Sequence, residues 1–173
     1  MIYRKAEVGD AAALSEFAMR VFLASFDRQL PTSELEPFAT PRFAPEKLQD
    51  EIAHAPGAVF LALQPEIVGY AQVALGNRPN CVLSGTSPAE LKRIYVEAPW
   101  QGHGIAQRLR ELVEEEAARN GCDVLWLAVW DGNARGRAFY QKCGFAIVGS
   151  DVFQVGRLPL NHYFLAKPLR ELS

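Results

Sequence analysis

Between Leu91 and Asn120 the chain passes from a strand pattern, L-K-R-I-Y-V, through a turn carrying Gly102 and Gly104, directly into a helical pattern with Ile105, Leu109, Leu112 and Val113 on one face. The turn core reads Q-x-x-G-x-A, from Gln101 to Ala106. Two glycines there let the main chain adopt conformations closed to other residues and come close to a ligand. The helix that follows opens with unpaired N–H groups and a partial positive charge, a site for phosphate-like anions. Arg108 and Arg110 lie in its first half and Glu114, Glu115 and Glu116 in its second. That order opposes the helix dipole, at a cost from a few tenths up to roughly 1 kcal/mol per group, and leaves the N-terminus free for an external anion. The plainer alternative is that Arg110–Glu114 and Glu115–Arg119 are i,i+4 pairs on a solvated face. His103 reads as a turn residue.

Asp123 to Trp130 (D-V-L-W-L-A-V-W) is nearly continuous in apolar residues, the pattern of a central strand covered on both faces. Asn133 to Cys143 reads as a helix N-capped by Asn133 and stopped by Gly144. Upstream, residues 2–7 suit a short strand, and Asp10 caps a helix running to Phe22. Residues 27–45 carry prolines at 31, 37, 41 and 45 and cannot form one continuous helix; they are either a binding lid or a connector with one short helix. A helix from Pro45 to about His54, a hairpin of strands 57–64 and 67–75, a loop over 76–89, and closing strands near 146–154 and 161–167 complete the order β-α-α-β-β-β-α-β-α-β-β. The expectation is one mixed α/β (α+β) domain spanning 1–173.

Hydrophobic residues make up 49% of the 173 and charged residues 22%, enough for one full core. A net charge of -2 argues against a nucleic-acid partner. Cys81, Cys122 and Cys143 show no paired spacing and suggest reduced thiols, hence a cytoplasmic setting. No metal is expected, since there is no C-x-x-C and His54, His103 and His162 stand far apart. No signal core and no apolar run of membrane-spanning length is present, so no membrane partner is expected.

Taken together, L-K-R-I-Y-V, Q-G-H-G-I-A, the N-A-R-G-R-A-F-Y helix and K-C-G-F, in this order and spacing over residues 90–169, resemble the GNAT (GCN5-related) N-acetyltransferase superfamily. The resemblance implies a mixed, mostly antiparallel central sheet of about seven strands with about four helices and splayed central strands, and acetyl-CoA as co-substrate. It implies that the main chain of Ile94, Tyr95 and Val96 runs beside the acetyl group and pantetheine arm. It places the diphosphate on the N–H groups of Gln101, Gly102, His103, Gly104, Ile105 and Ala106. Asn133 and Lys142 join the cofactor-binding positions, and Tyr140 stands near the thioester sulfur as the acid that protonates the leaving thiolate. Gln101 stands where many members carry Arg, a modest loss of charge.

Acetylation requires an uncharged amine, and an alkyl amine is mostly protonated at neutral pH, so a base is needed. Glu90 is the candidate base, expected by period-two alternation on the face of Lys92, Ile94 and Val96. Ile94 N–H is the candidate oxyanion donor. Cys143 has no base near it in sequence, and the resemblance implies direct transfer.

Phe22, Ser25-Phe26, W-L-A-V-W-D-G-N, Phe153, Gly156 and Y-F-L-A-K also look like the polyamine acetyltransferase (PaiA-like) branch. Glu34, Glu36, Asp50 and Glu51 would then gather a polycation near the lid. The expected partner is a small-molecule amine, with a homodimer possible. A protein N-terminus or lysine, an amino acid and an aminoglycoside stay open as acceptors. So does a non-catalytic acyl-CoA-binding domain on the same fold. A nucleotide switch lacks its Lys-Ser/Thr after the glycines.

Overall fold

The computed structural model of the protein describes residues 1–26 and 29–170. Along the chain it contains β1 (Ile2–Lys5), α1 (Ala11–Ser25), α2 (Thr32–Arg42), α3 (Pro45–His54), β2 (Gly57–Leu63), β3 (Ile67–Leu75), β4 (Pro88–Val96), α4 (Ile105–Arg119), β5 (Val124–Trp130), α5 (Ala134–Lys142), β6 (Ala146–Val155) and β7 (Leu158–Pro168). The strands form one sheet in the order β1-β2-β3-β4-β5-β7-β6. Every neighbouring pair is antiparallel except β4 with β5. Among the described residues no helix is long and apolar enough to cross a membrane.

The architecture matches the mixed sheet expected from the sequence but has five α-helices rather than four. The extra one is α2, which contains Pro37 and Pro41. A proline inside a helix costs about 3 kcal/mol in lost hydrogen bonding and crowding. Burial offsets it: Leu35 and Ala39 are 1% and 0% exposed, and Phe38 stacks on Phe22 at 5.9 Å. The chain leaves the helix before α3 begins at Pro45, so 27–45 is not one helix; residues 27 and 28 of that stretch lie outside the described residues. Asp10 also differs from expectation. Its side chain does not cap α1. It accepts from the Glu7 N–H at 2.7 Å in a preceding 3-10 turn and pairs with Arg4 at 2.7 Å.

Two cores lie on opposite faces of the sheet. On one, α4 presents Ile105, Leu109, Val113 and Ala117 to Ala71, Val73, Leu125 and Leu127. On the other, Leu14, Phe17 and Ala18 of α1, Leu35 of α2 and Leu48 of α3 cover Val59, Leu61 and Tyr70. Side chains of about this size are worth about 1.5–3 kcal/mol each when fully buried.

One ionic cluster is embedded in the second face. The Arg93 Nη1 donates to Glu51 Oε2 and to Gln72 Oε1, both at 3.0 Å. Gln72 Nε2 donates to the same Glu51 oxygen at 3.0 Å, and Lys92 Nζ reaches Glu51 Oε1 at 3.3 Å. Arg93 and Glu51 are each 7% exposed, so α3 is tied to β3 and β4 by charges largely out of water. Burial alone would raise the Glu51 carboxyl, but Arg93, Gln72 and Lys92 outweigh it and hold the group below its ordinary value of 4.5. A carboxylate lowered in this way stabilises the fold above its unfolded value, and that contribution is lost as the pH falls through the folded one. Glu51→Ala strands the Arg93 charge, so urea unfolding at pH 7 should record a loss of about 3 kcal/mol. The loss should shrink steadily once the pH drops below 4.5.

Candidate active site

β4 and β5 pair over three positions only, Pro88 with Val124, Ala89 with Leu125 and Glu90 with Trp126. Asn77 holds the last of these pairs from above. Its side-chain Nδ2 donates to Glu90 Oε2 at 2.8 Å, and its carbonyl accepts from Trp126 Nε1 at 2.8 Å. Beyond this point the strands part and open a cleft of about 700 Å³, with residues 91–95 on one wall and 127–130 on the other. Ala128, in the middle of β5, is exposed for this reason, so the strand is not covered on both faces throughout its length.

The β4 wall departs from simple alternation. Gln72 pairs with Arg93 and Val73 with Leu91, leaving Lys92 as an extra residue in a β-bulge. Ala89 and Leu91 pack towards α4 before the bulge, and Ile94 and Val96 do so after it. Glu90 lies on the other face, and so do Arg93 and Tyr95, which meet the α1–α3 side. The expectation that Glu90 shares a face with Ile94 and Val96 is therefore corrected, because one inserted residue reverses the period.

Past β4, Gly102 and Gly104 have φ of 82° and 79°. Nothing lies within 4 Å of where a Cβ would stand on either. No side chain caps α4, and its first turn has no acidic residue. Residues 101–104 are exposed, whereas Ile105 is a core residue at 2% exposure, so it can offer a ligand only its N–H. His103 Nδ1 turns back to the Trp100 and Gln101 carbonyls at 3.2 and 3.1 Å, as a turn residue does. Along α4, Arg110 pairs with Glu114. The other expected pair is replaced by Arg108–Glu115 at 3.1 Å and Arg119–Glu116 at 3.0 Å.

On the β5 side, Asn133 Oδ1 accepts from the Gly136 N–H at 2.9 Å and caps α5. Tyr140 lines the cleft, edge-on to Phe139 and Phe145 at 5.4 and 5.8 Å. Burial, helped by Tyr95 and Cys143, pushes its phenol well above the usual tyrosine range, so it carries its proton at neutral pH. Ile94, Tyr95, Asn133 and Tyr140 thus converge on one cleft. Lys142 does not: it is exposed in the last turn of α5 and is absent from the lining, because it follows Tyr140 by two residues and points elsewhere on the helix.

Three lining residues were missed from the sequence. Arg135, in the first turn of α5, donates from Nη1 to Gln101 Oε1 at 2.7 Å and brings a guanidinium to the glycine turn. Arg42 ends α2 at the rim, its Cζ 4.7 Å from the Phe38 ring centre. His162 on β7 directs Nδ1 at the Leu160 carbonyl at 3.1 Å, which leaves Nε2 as the unprotonated nitrogen of a neutral ring. Burial lowers its pKa from the ordinary 6.5. The carboxylates expected to gather a polycation are elsewhere. Glu34 accepts from the Arg157 N–H at 2.7 Å, Glu51 is locked in the ionic cluster, and none of Glu34, Glu36, Asp50 and Glu51 lines the cleft.

The model of the acetyltransferase (GNAT) family matches residues 21–145, more than two thirds of the sequence. The chain belongs to the GNAT family. As a GNAT protein it is an N-acetyltransferase by class. It is 28% identical over 150 residues to an N-acetyltransferase from the pepI 3' region of Lactobacillus delbrueckii subsp. lactis, covering 86% of each chain. It is 32% identical over 105 residues to an aminoglycoside N(6')-acetyltransferase type 1 of Stenotrophomonas maltophilia, covering 58% of this chain and 67% of that one. Its fold superposes with a TM-score of 0.75 on the PaiA N-acetyltransferase of Thermoplasma acidophilum in complex with coenzyme A, at 17% identity and covering 96% and 98% of the two chains.

The left-handed main chain of this GNAT turn tolerates glycine alone without strain. Gly104→Ala should lower unfolding stability by about 1 kcal/mol through backbone strain. No overlap is created, since the space for a Cβ is empty; urea denaturation measures the loss.

Proposed function

We propose that this protein transfers the acetyl group of acetyl-CoA directly to a primary amine. The observation that carries the reading is the parting of β4 from β5 beside an uncapped helix N-terminus. Acetyl-CoA supplies an activated thioester. The open N–H groups of residues 101–106 suit its diphosphate, and the cradle is empty where a Cβ would have filled it. Arg135 restores the positive charge that Gln101 lacks and is already drawn to the turn. Ile94, Tyr95 and Val96 pair with β3 on one side but have no β5 partner on the other, which suits the pantetheine arm, and Asn133 stands across the cleft.

In this reading the amine nitrogen forms a bond to the acetyl carbon as the carbon–sulfur bond breaks. Ile94 N–H steadies the negative charge on the acetyl oxygen. Tyr140, which lines the cleft, gives its proton to the departing sulfur. The amine proton passes to a base in the acceptor half. Glu90 faces that half because of the bulge. His162 is the second candidate, since its Nε2 is open and burial keeps it neutral. Three free cysteines are consistent with a reducing, cytoplasmic setting.

Tyr140→Phe should lower kcat in a thiol-release assay by roughly 100-fold while acetyl-CoA binding by calorimetry stays unchanged; an unchanged kcat removes Tyr140 from the chemistry. Absence of thiol release with every amine in a broad panel, with acetyl-CoA still bound, would instead favour a non-catalytic acyl-CoA sensor. The base is read from pH dependence. With His162 in that role, kcat/KM falls as the pH drops below 6.5 and His162→Gln abolishes this limb. With Glu90 in that role, Glu90→Gln lowers kcat/KM across the pH range and His162→Gln leaves the profile intact.

A further inference from the structure

The acceptor half of the cleft has more positive than negative charge. Arg42, Lys92 and Arg93 line it, and among the described residues the carboxylates that meet them are Glu90 in the lining and Glu51 behind it. Among the described residues, three cations against two carboxylates leave one positive charge uncompensated. Glu90 is held by Asn77, and Glu51 already serves Lys92 and Arg93. Arg42 pairs with no carboxylate among the described residues; its only close partner there is the Phe38 ring. Desolvation and the neighbouring Arg93 disfavour the Arg42 charge more than Glu51 and Glu90 favour it. Arg93 also keeps an unsatisfied donor: it is 7% exposed, and its Nε is buried without an acceptor. Phe22, Phe26, Phe38, Trp130 and Phe153 give this half an aromatic wall, beside the polar Ser25, Gln29, Gln154 and His162.

From this arrangement we infer that Arg42 and Arg93 form an anion subsite, and that the acceptor is an amine bearing both a carboxylate and an apolar or aromatic body. The inference rests on the acetyl-transfer reading above. A single uncompensated charge matches a carboxylate, and planar guanidiniums accept carboxylates through directed N–H bonds. A polycation would meet like charge here, with Glu34 and Glu51 already engaged and neither Glu36 nor Asp50 in the lining.

The test compares a pair of amines that differ by the carboxylate alone, with a polycation and a phosphate-bearing amine beside them. Thiol release is measured with L-phenylalanine, phenethylamine, spermidine and O-phosphoethanolamine, for wild type and Arg42→Gln. Arg42 is exposed at the rim, so its replacement leaves the core intact. A charge-assisted bond of this kind should favour phenylalanine over phenethylamine by roughly 10- to 100-fold in kcat/KM, and Arg42→Gln should erase most of that preference. Preference for phenethylamine or spermidine, or a preference untouched by Arg42→Gln, overturns the subsite while leaving acetyl transfer standing. Preference for O-phosphoethanolamine overturns the carboxylate in favour of phosphate. A second readout does not need turnover: quenching of tryptophan fluorescence by 3-phenylpropionate and by 3-phenylpropanol. Tighter binding of the anion in wild type but not in Arg42→Gln supports the subsite even with an inactive enzyme. Equal binding of the two overturns it.

Discussion

The whole site depends on where two parallel strands stop pairing. β4 and β5 stay together for three positions, and Asn77 fastens the last pair through Glu90 and Trp126. Past that point each strand has a row of main-chain donors and acceptors facing a gap. Buried peptide groups left without partners are costly, so a sheet interrupted at its centre is stable only if water or a ligand fills the break. The separation is braced from both faces: α4 packs against one side of β4, and the Glu51–Arg93–Gln72 cluster fixes the other. The ionic cluster does not cross the gap, so it holds β4 in place without closing the cleft.

The bulge at Lys92 divides the work of β4 between two faces. Ile94 and Val96 are turned towards the α4 side, while Glu90, Arg93 and Tyr95 are turned towards α1–α3. One strand can therefore present main chain to one ligand and side chains to another. Tyr95 illustrates the balance. Burial raises its phenol pKa, and Arg93 with Arg42 pulls it back only in part. The phenol thus remains neutral in a wall that also carries cations, and Tyr70 stacks behind it at 5.8 Å.

Much of this was legible in the sequence wherever the cause was local. Gly102 and Gly104 announce a left-handed turn because other residues pay strain there. Asn133 announces a cap because its side chain reaches its own third neighbour, and the structure keeps that bond with Gly136. What failed was decided by contacts distant in sequence. Two prolines argue locally against α2, and the burial of Leu35 and Ala39 overrides them. Nothing in L-K-R-I-Y-V marks Lys92 as the inserted residue; the register of β3 determines it. Arg42 and Arg135 lie far from the strand motif, and the fold alone brings them to the cleft. Asp10 had the right chemistry for a cap, but Arg4 and the Glu7 N–H claim its oxygens first.

The contact between Arg135 and Gln101 has a further consequence. A guanidinium held by a neutral carboxamide, with both residues exposed, has no ion pair among the described residues to surrender when an anion arrives. Mobile counter-ions compete for such a charge directly, since the Debye length is about 8 Å under physiological conditions. If the glycine turn and Arg135 receive the diphosphate as proposed, ionic strength, more than acidity, governs how readily they fill.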